Sequence, residues 1–350
     1  MSNERPLSWP VSGNLTTAVG NTSLAYNILY RTTDSRSLPS WAVTTLFIPA
    51  SFYSAPGPSQ ANADLGIQSD ISLLGELLGQ GWIVTAPDLQ GPTAAFGASV
   101  LAGQATLGSV RAVLNLARMT GSANITTALW GYSGGSIATK AAAELHGHDA
   151  TELKLPGVVL GDSAMGNLSR VNQRPIAMSL VAGLVGLSTQ YSEAEKYLYS
   201  RLRPEIVSEL LSIRDINSSD ALRLFAIKDI YSYFVGGQAD LEAPLLQNMF
   251  ERETKRDENS VPVAPMFIYK AVADAFCPIG PTDDFVKRLG DLGADITFVR
   301  NAAGGHVAEI ENGKDRAIEW LSSIFDEFYV PSGSGVSVKD VTVRISPLDI

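Results

Sequence analysis

Asn124-Ile-Thr-Thr-Ala-Leu-Trp130, Gly131-Tyr132-Ser133-Gly134-Gly135 and Ser136-Ile-Ala-Thr-Lys-Ala-Ala-Ala-Glu-Leu145 run on without a break, and their reading decides the fold. The first segment is β-branched and aromatic, as a buried strand requires. The third is rich in helix formers. A strand that reverses into a helix within a few residues forces the central residue into strained backbone geometry, and Gly131 and Gly135 leave room for it. The turn is predicted to lift Ser133 Oγ above the sheet edge. It also aims the Gly134 N–H, at the positive end of the new helix, toward a developing oxyanion.

Outward from this turn the chain alternates. Residues 23–30 and 42–48 read as two strands joined by a polar turn containing Pro39, an antiparallel start. A helix over 73–80, a buried strand over 82–86 and a helix over 103–119 follow. Further strands are expected at 158–161, 266–270 and 295–300, with a closing helix at 315–329. Such alternation predicts an α/β class with a mostly parallel central sheet covered on both faces. About one hundred residues between Gly161 and Val261 show helical periodicity and no strand. There Pro175 suits a first helical turn, Ser192 and Glu195 form an S-x-x-E capping box, and 221–234 is amphipathic. We read an inserted helical cap, against the alternative of a separate helical domain. The expected division is 1–163 and 263–330 for the two parts of the core, 164–262 for the cap or lid, and 331–350 for a C-terminal flap or tail.

A serine hydroxyl needs a histidine to take its proton and a carboxylate to hold that histidine in the right tautomer. Of three histidines, His146 and His148 end the helix that begins at Ser133, so His146 stands roughly 20 Å from it. This leaves His306, in the small-residue loop Gly304-Gly305-His306-Val307 after the last strand. Two aspartates could orient it. Asp274 follows strand 266–270, lies one strand before the histidine and is stiffened by Pro278; Asp162, directly after strand 158–161, is the second candidate. Asp283 and Asp284 read instead as first-turn residues of a helix capped by Thr282. A second oxyanion donor is expected in the loop Pro87-Asp88-Leu-Gln-Gly-Pro92, where the Asp88 N–H, not its carboxylate, would face the oxyanion. An ordinary turn aspartate explains Asp88 equally well.

The chain has 350 residues, 45% hydrophobic and 18% charged, with a formal net charge of -10. That charge argues against nucleic acid as a partner. The longest apolar stretch, 176–187, is too short to span a bilayer, while transient contact with a lipid interface stays open. Met1–Pro10 lacks an apolar h-region and Cys277 is the sole cysteine, which predicts an intracellular protein or one whose signal has been removed. Sequons at Asn14, Asn21, Asn124, Asn167 and Asn217 pull toward secretion, though a chain rich in Ser and Thr makes several by accident.

Taken together, Tyr30-Arg-Thr-Thr33, Val43-Thr-Thr-Leu-Phe-Ile-Pro49, the Pro87–Pro92 loop, Gly131–Gly135, Ala273-Asp274 with Cys277-Pro278, and Gly304-Gly-His306 resemble the fungal secretory lipase family of lipase A type, in the α/β-hydrolase superfamily. The resemblance implies an α/β-hydrolase fold with a helical cap. It also implies Ser133, Asp274 and His306 as nucleophile, acid and base, with Asp88 and Gly134 at the oxyanion hole. Members usually carry paired cysteines and a signal peptide; here Leu289-Gly290 stands where a partner cysteine is expected. The expected activity is that of a serine carboxylic-ester hydrolase, acting through an acyl-enzyme on a small apolar acyl ester without metal or redox cofactor. An acyltransferase or cyclase would use the same acyl-enzyme, and the reading from another class is a catalytically silent binding protein of this fold. Oligomeric state is not legible.

Overall fold

The computed structural model describes residues 7–10, 19–50, 59–60, 68–121, 125–162, 171–254, 260–331 and 335–346. Ten strands form one sheet in the order β1-β2-β3-β5-β4-β6-β7-β8-β9-β10. β2 (Thr22–Thr33) and β3 (Pro39–Pro49) make the expected antiparallel pair. β3 also runs antiparallel to β5 (Val84–Pro87). From β5 onward every pairing is parallel, through β4 (Ser59–Gln60), β6 (Leu129–Tyr132), β7 (Val158–Gly161), β8 (Met266–Ala271), β9 (Ile296–Asn301) and β10 (Val336–Val341).

Every residue of β6, β7 and β8 is buried, because helices cover both faces. Side chains alternate between the two cores. Trp130, Val159, Phe267 and Val299 meet Trp320 and Leu321 of the helix His306–Phe325 and Leu77 of Gln68–Gly79. Leu129, Leu160, Ile268 and Phe298 meet Leu107 of the helix Ser99–Met119, Ala142 of Gly134–Asp149 and Phe285 of Ile279–Asp291.

Between β7 and β8 lie six helices, from Met178–Ser188 to Pro244–Thr254, with no named strand among the described residues. They share a third core in which Leu184, Leu198, Phe225 and Phe250 pack together and close against Ala95, Ala98 and Leu101 of the first half of the chain. Gly186 allows the closest approach: a Cβ there would stand 2.4 Å from the Phe96 backbone nitrogen.

Several local expectations are corrected. The helix Ser192–Arg201 has Tyr191, not Ser192, at its N-cap and no side-chain cap. The Tyr191 carbonyl takes the Glu195 N–H, so the capping box does not form. The helix expected after Thr282 begins earlier, at Ile279 with Pro278 as N-cap, which moves Asp283 and Asp284 beyond the first turn. The closing helix starts at His306 itself. Leu7–Pro10, which shows no alternation, pairs antiparallel with β2 as strand β1 at the sheet edge, a place where proline is tolerated. Val336–Val341, expected within a flap or tail, lies beside β9 as the other edge strand. Asn21 and Asn217 both spend their side chains on protein hydrogen bonds, to Gly75 O and from Asp220 N. The sequons at Asn14, Asn124 and Asn167 and the 163/164 boundary lie outside the described residues.

The helices Ser99–Met119 and Gly134–Asp149 touch at Gly103, where a Cβ would stand 2.9 Å from the Ala141 backbone carbon. Helix propensity alone predicts that Gly103→Ala gains about 1 kcal/mol. Overpacking against backbone predicts a net loss of about 1–3 kcal/mol instead. A urea denaturation midpoint that rises in the variant would contradict the close packing.

Candidate active site

At the end of β6 the backbone of Ser133 takes φ 50° and ψ -117°, a conformation that only a tightly determined turn holds in a residue with a side chain. Its N–H still pairs with Gly161 O at 3.0 Å, so the strand runs up to the serine. The helix starts at once: Ser136 N and Oγ both donate to Ser133 O, at 3.0 and 2.5 Å. A Cβ on Gly131 would stand 2.3 Å from Gly135 O, so only glycine fits at Gly131. Gly134 is the first helical residue, where a backbone N–H has no partner within the helix.

Ser133 Oγ lies 2.8 Å from His306 Nε2, and His306 Nδ1 lies 2.9 Å from Asp274 Oδ2. The structure thus brings together the three residues named from sequence. His306 opens its helix after Gly305, with Gly304 at φ 76° making the bend. Asp274 sits in the loop after β8, where its Oδ1 accepts from Phe276 N at 2.7 Å and Cys277 N at 2.8 Å. Burial would raise its pKa, but the His306 hydrogen bond, the charges of His306 and Lys270 and the Cys277 amide outweigh that and hold it well below the ordinary carboxylate value. The rings of Phe276 and Tyr132 flank His306, with centroids at 5.1 and 5.6 Å.

Asp162, the second candidate acid, is also in the cluster. It follows β7 at φ 39° and is fully buried. Its Oδ2 accepts from Tyr132 Oη at 2.8 Å and stands 3.5 Å from His306 Nδ1, too far for the hydrogen bond that Asp274 makes. Its Oδ1 accepts from Ala271 N at 3.1 Å. Burial pushes its pKa up to about 6 against the pull of Lys270 and His306. Between the two carboxylates lies the fully buried Lys270, 3.2 Å from Asp162 and 2.9 Å from Asp274. Neither Lys270 nor Tyr132 was singled out from sequence. The available signal was a lysine inside the apolar run Met-Phe-Ile-Tyr-Lys-Ala of β8, since a charge there demands a buried partner.

Asp88 departs from expectation. Its N–H donates to Val43 O at 2.7 Å, extending the β3–β5 ladder, and is not available to an oxyanion; its Oδ1 accepts from the amides of Gln90 and Gly91. Leu89 packs with Ala102 and Ala138, the latter one turn beyond Gly134. His146 is engaged elsewhere, its Nε2 2.8 Å from Leu153 O. Asp274, Cys277 and His306 form the one group among the described residues whose ligand atoms lie within 4.8 Å of one another. The aspartate and histidine there are already hydrogen bonded, and burial followed by the Asp274 charge pushes the Cys277 thiol up to about 12.

A strained serine between a parallel strand and its helix, met by a histidine from the loop after β9, places the protein among the α/β-hydrolases. The chain belongs to the secretory lipase family, whose model matches residues 57–331. It is 48% identical over 364 residues to the Probable trichothecene esterase SAT6 of Stachybotrys chartarum, covering 95% of this chain and 75% of that one. It is 35% identical over 381 residues to the Trichothecene C-3 esterase of Fusarium sporotrichioides, covering 97% and 84%. The solved lipase A of Candida antarctica is similar in fold, with TM-score 0.85 at 24% identity over 98% of this chain and 86% of that one. With relatives named as esterases and lipases, the protein is a carboxylic ester hydrolase. No helix among the described residues is long and apolar enough to cross a membrane.

One turn beyond His306, buried Glu309 accepts from Asn301 Nδ2 at 2.7 Å, and burial raises its pKa to about 8. The folded state therefore holds a proton that the unfolded chain has lost, so its contribution to stability falls as pH rises from about 4.5 to 8. Glu309→Gln keeps the acceptor and cannot ionise. Its unfolding midpoint relative to wild type should climb between about pH 5 and pH 8.5; parallel curves would contradict the assignment.

Proposed function

We propose that Ser133, His306 and Asp274 hydrolyse an acyl ester of a trichothecene through an acyl-enzyme. The observation that carries this reading is the relay of two hydrogen bonds, 2.8 Å from Ser133 to His306 and 2.9 Å from His306 to Asp274. With Nδ1–H donated to Asp274, Nε2 presents its lone pair to the Ser133 hydroxyl. Ser133 Oγ attacks the ester carbonyl as its proton passes to Nε2. The Gly134 amide, at the first turn of the helix after Ser133, receives the oxyanion. The tetrahedral intermediate then expels the alcohol, which leaves with the proton from Nε2, and the acyl group stays on Ser133. Water attacks the acyl carbon in turn, giving a proton to Nε2, and the second tetrahedral intermediate breaks its bond to Ser133 Oγ as Nε2 returns that proton to Oγ, releasing the carboxylic acid and restoring the enzyme.

The substrate class rests on the two trichothecene esterases among the relatives. The aromatic surroundings suit an apolar ester: the Phe276 ring lies against His306, and the Phe96 ring is 3.8 Å from where a Cβ on Gly134 would stand. The helical insertion acts as a cap, since it packs on the 94–101 segment that carries Phe96.

A fluorophosphonate should label wild type and not Ser133→Ala, and acylated trichothecenes should be deacylated faster than long-chain p-nitrophenyl esters. Ser133→Ala should cost on the order of 10⁵–10⁶ in kcat, and Asp274→Asn about 10³–10⁴. Labelling that survives Ser133→Ala, or an unaffected Asp274→Asn, would defeat the reading.

A further inference from the structure

Resting on that catalytic reading, we propose that Lys270 and Asp162 are positioning residues that set the net charge around His306, so that with both carboxylates ionised the buried cluster becomes neutral when His306 carries the proton taken from Ser133. The groups facing His306 come from every neighbouring element. Tyr132 ends β6 and Ser133 follows it, Asp162 follows β7, Lys270 lies in β8, Asp274 and Cys277 occupy the next loop, and Glu309 is on the histidine's own helix.

Most of these are uncharged near neutrality. Tyr132 is raised well above its ordinary value by burial and the nearby Asp162 charge, Cys277 to about 12 and Glu309 to about 8. Two carboxylates and one ammonium remain, all fully buried and joined by contacts of 2.9 and 3.2 Å. With neutral imidazole these three ions leave one negative charge without a partner in a dry site. Buried unpaired charge is strongly unfavourable, and an imidazolium 2.9 Å from one carboxylate and 3.5 Å from the other closes the sum. That protonated state is the one the reaction passes through. A single acid would suffice to orient the ring, and Asp274 alone makes the hydrogen bond. The second carboxylate and the lysine therefore act on charge, and Tyr132 ties them to the elbow through its bonds to Asp162 Oδ2 and the His306 carbonyl.

The charges predict opposite signs. The test is the second-order rate of fluorophosphonate labelling at Ser133 between about pH 5 and 9, whose acidic limb reports loss of the neutral base. Asp162→Asn, nearly isosteric, removes a negative charge and should move the limb down by about one pH unit. Lys270→Met removes the positive charge and should move it up. The double variant Asp162→Asn/Lys270→Met restores the original sum and should return the limb toward wild type, which repair of packing would not do. Shifts of the same sign, or slower labelling with an unmoved limb in either single variant, would overturn the proposal. If Lys270→Met does not fold, the direction for Asp162→Asn alone decides. Wild type that fails to label at Ser133 would instead defeat the catalytic reading itself.

Discussion

Two buried carboxylates share one buried ammonium, and the rest of the active centre hangs from that arrangement. Lys270 Nζ reaches Asp162 at the end of β7 and Asp274 in the loop after β8, so two neighbouring strand ends are tied by one cation. Tyr132 on β6 joins through Asp162, and His306 after β9 joins through Asp274. Four successive parallel strands and the turns that follow them thus deliver Tyr132, Asp162, Lys270, Asp274 and His306 to a single polar cluster at their carboxyl ends. Among central strands that are otherwise buried and largely apolar, such a cluster persists only because its charges are paired and hydrogen bonded.

That requirement explains where the backbone departs from its preferred regions. Ser133 and Asp162 both have positive φ although neither is glycine, and both follow directly on a buried strand. Each turns a polar side chain toward the cluster instead of letting the strand continue. Gly161, between them in the sheet, has no room for a Cβ, which would fall 2.4 Å from the rings of Tyr132 and Tyr269. The strain at two residues is held by packing at a third.

How far the site could be read in sequence follows from the range of each signal. Ser133 lay in a local pattern of strand, glycines and helix, and His306 was the remaining histidine once helix length set His146 apart. Asp274 and Asp162 could not be separated by chain order alone, and the structure shows why: both reach the same imidazole nitrogen, at 2.9 and 3.5 Å. Asp88 was assigned an amide role that depends on which edge of β5 its N–H faces, and strand register settles that against it. The fold was legible where β-branched runs alternate with helical ones. It was not legible at β1 or at the starts of the helices at Ser192 and Ile279, because pairing partners and N-cap carbonyls lie outside any local pattern.

His306 must keep its ring between a serine and an aspartate from different strands, and the chain around it is fastened accordingly. Asn301, at the end of β9, accepts from Ala303 N within the histidine loop and from Val343 N, and donates to Val343 O and to Glu309. Asn312, two turns along the helix, accepts from the amides of Ile345 and Ser346. The segment after β10 is therefore bound to both flanks of the loop that carries His306, through the side-chain amides of Asn301 and Asn312. Because β10 itself pairs with β9, displacement of this segment would loosen the strand and the helix on which the histidine's position depends. An edge strand far along the chain thereby constrains the catalytic geometry without supplying a residue to it.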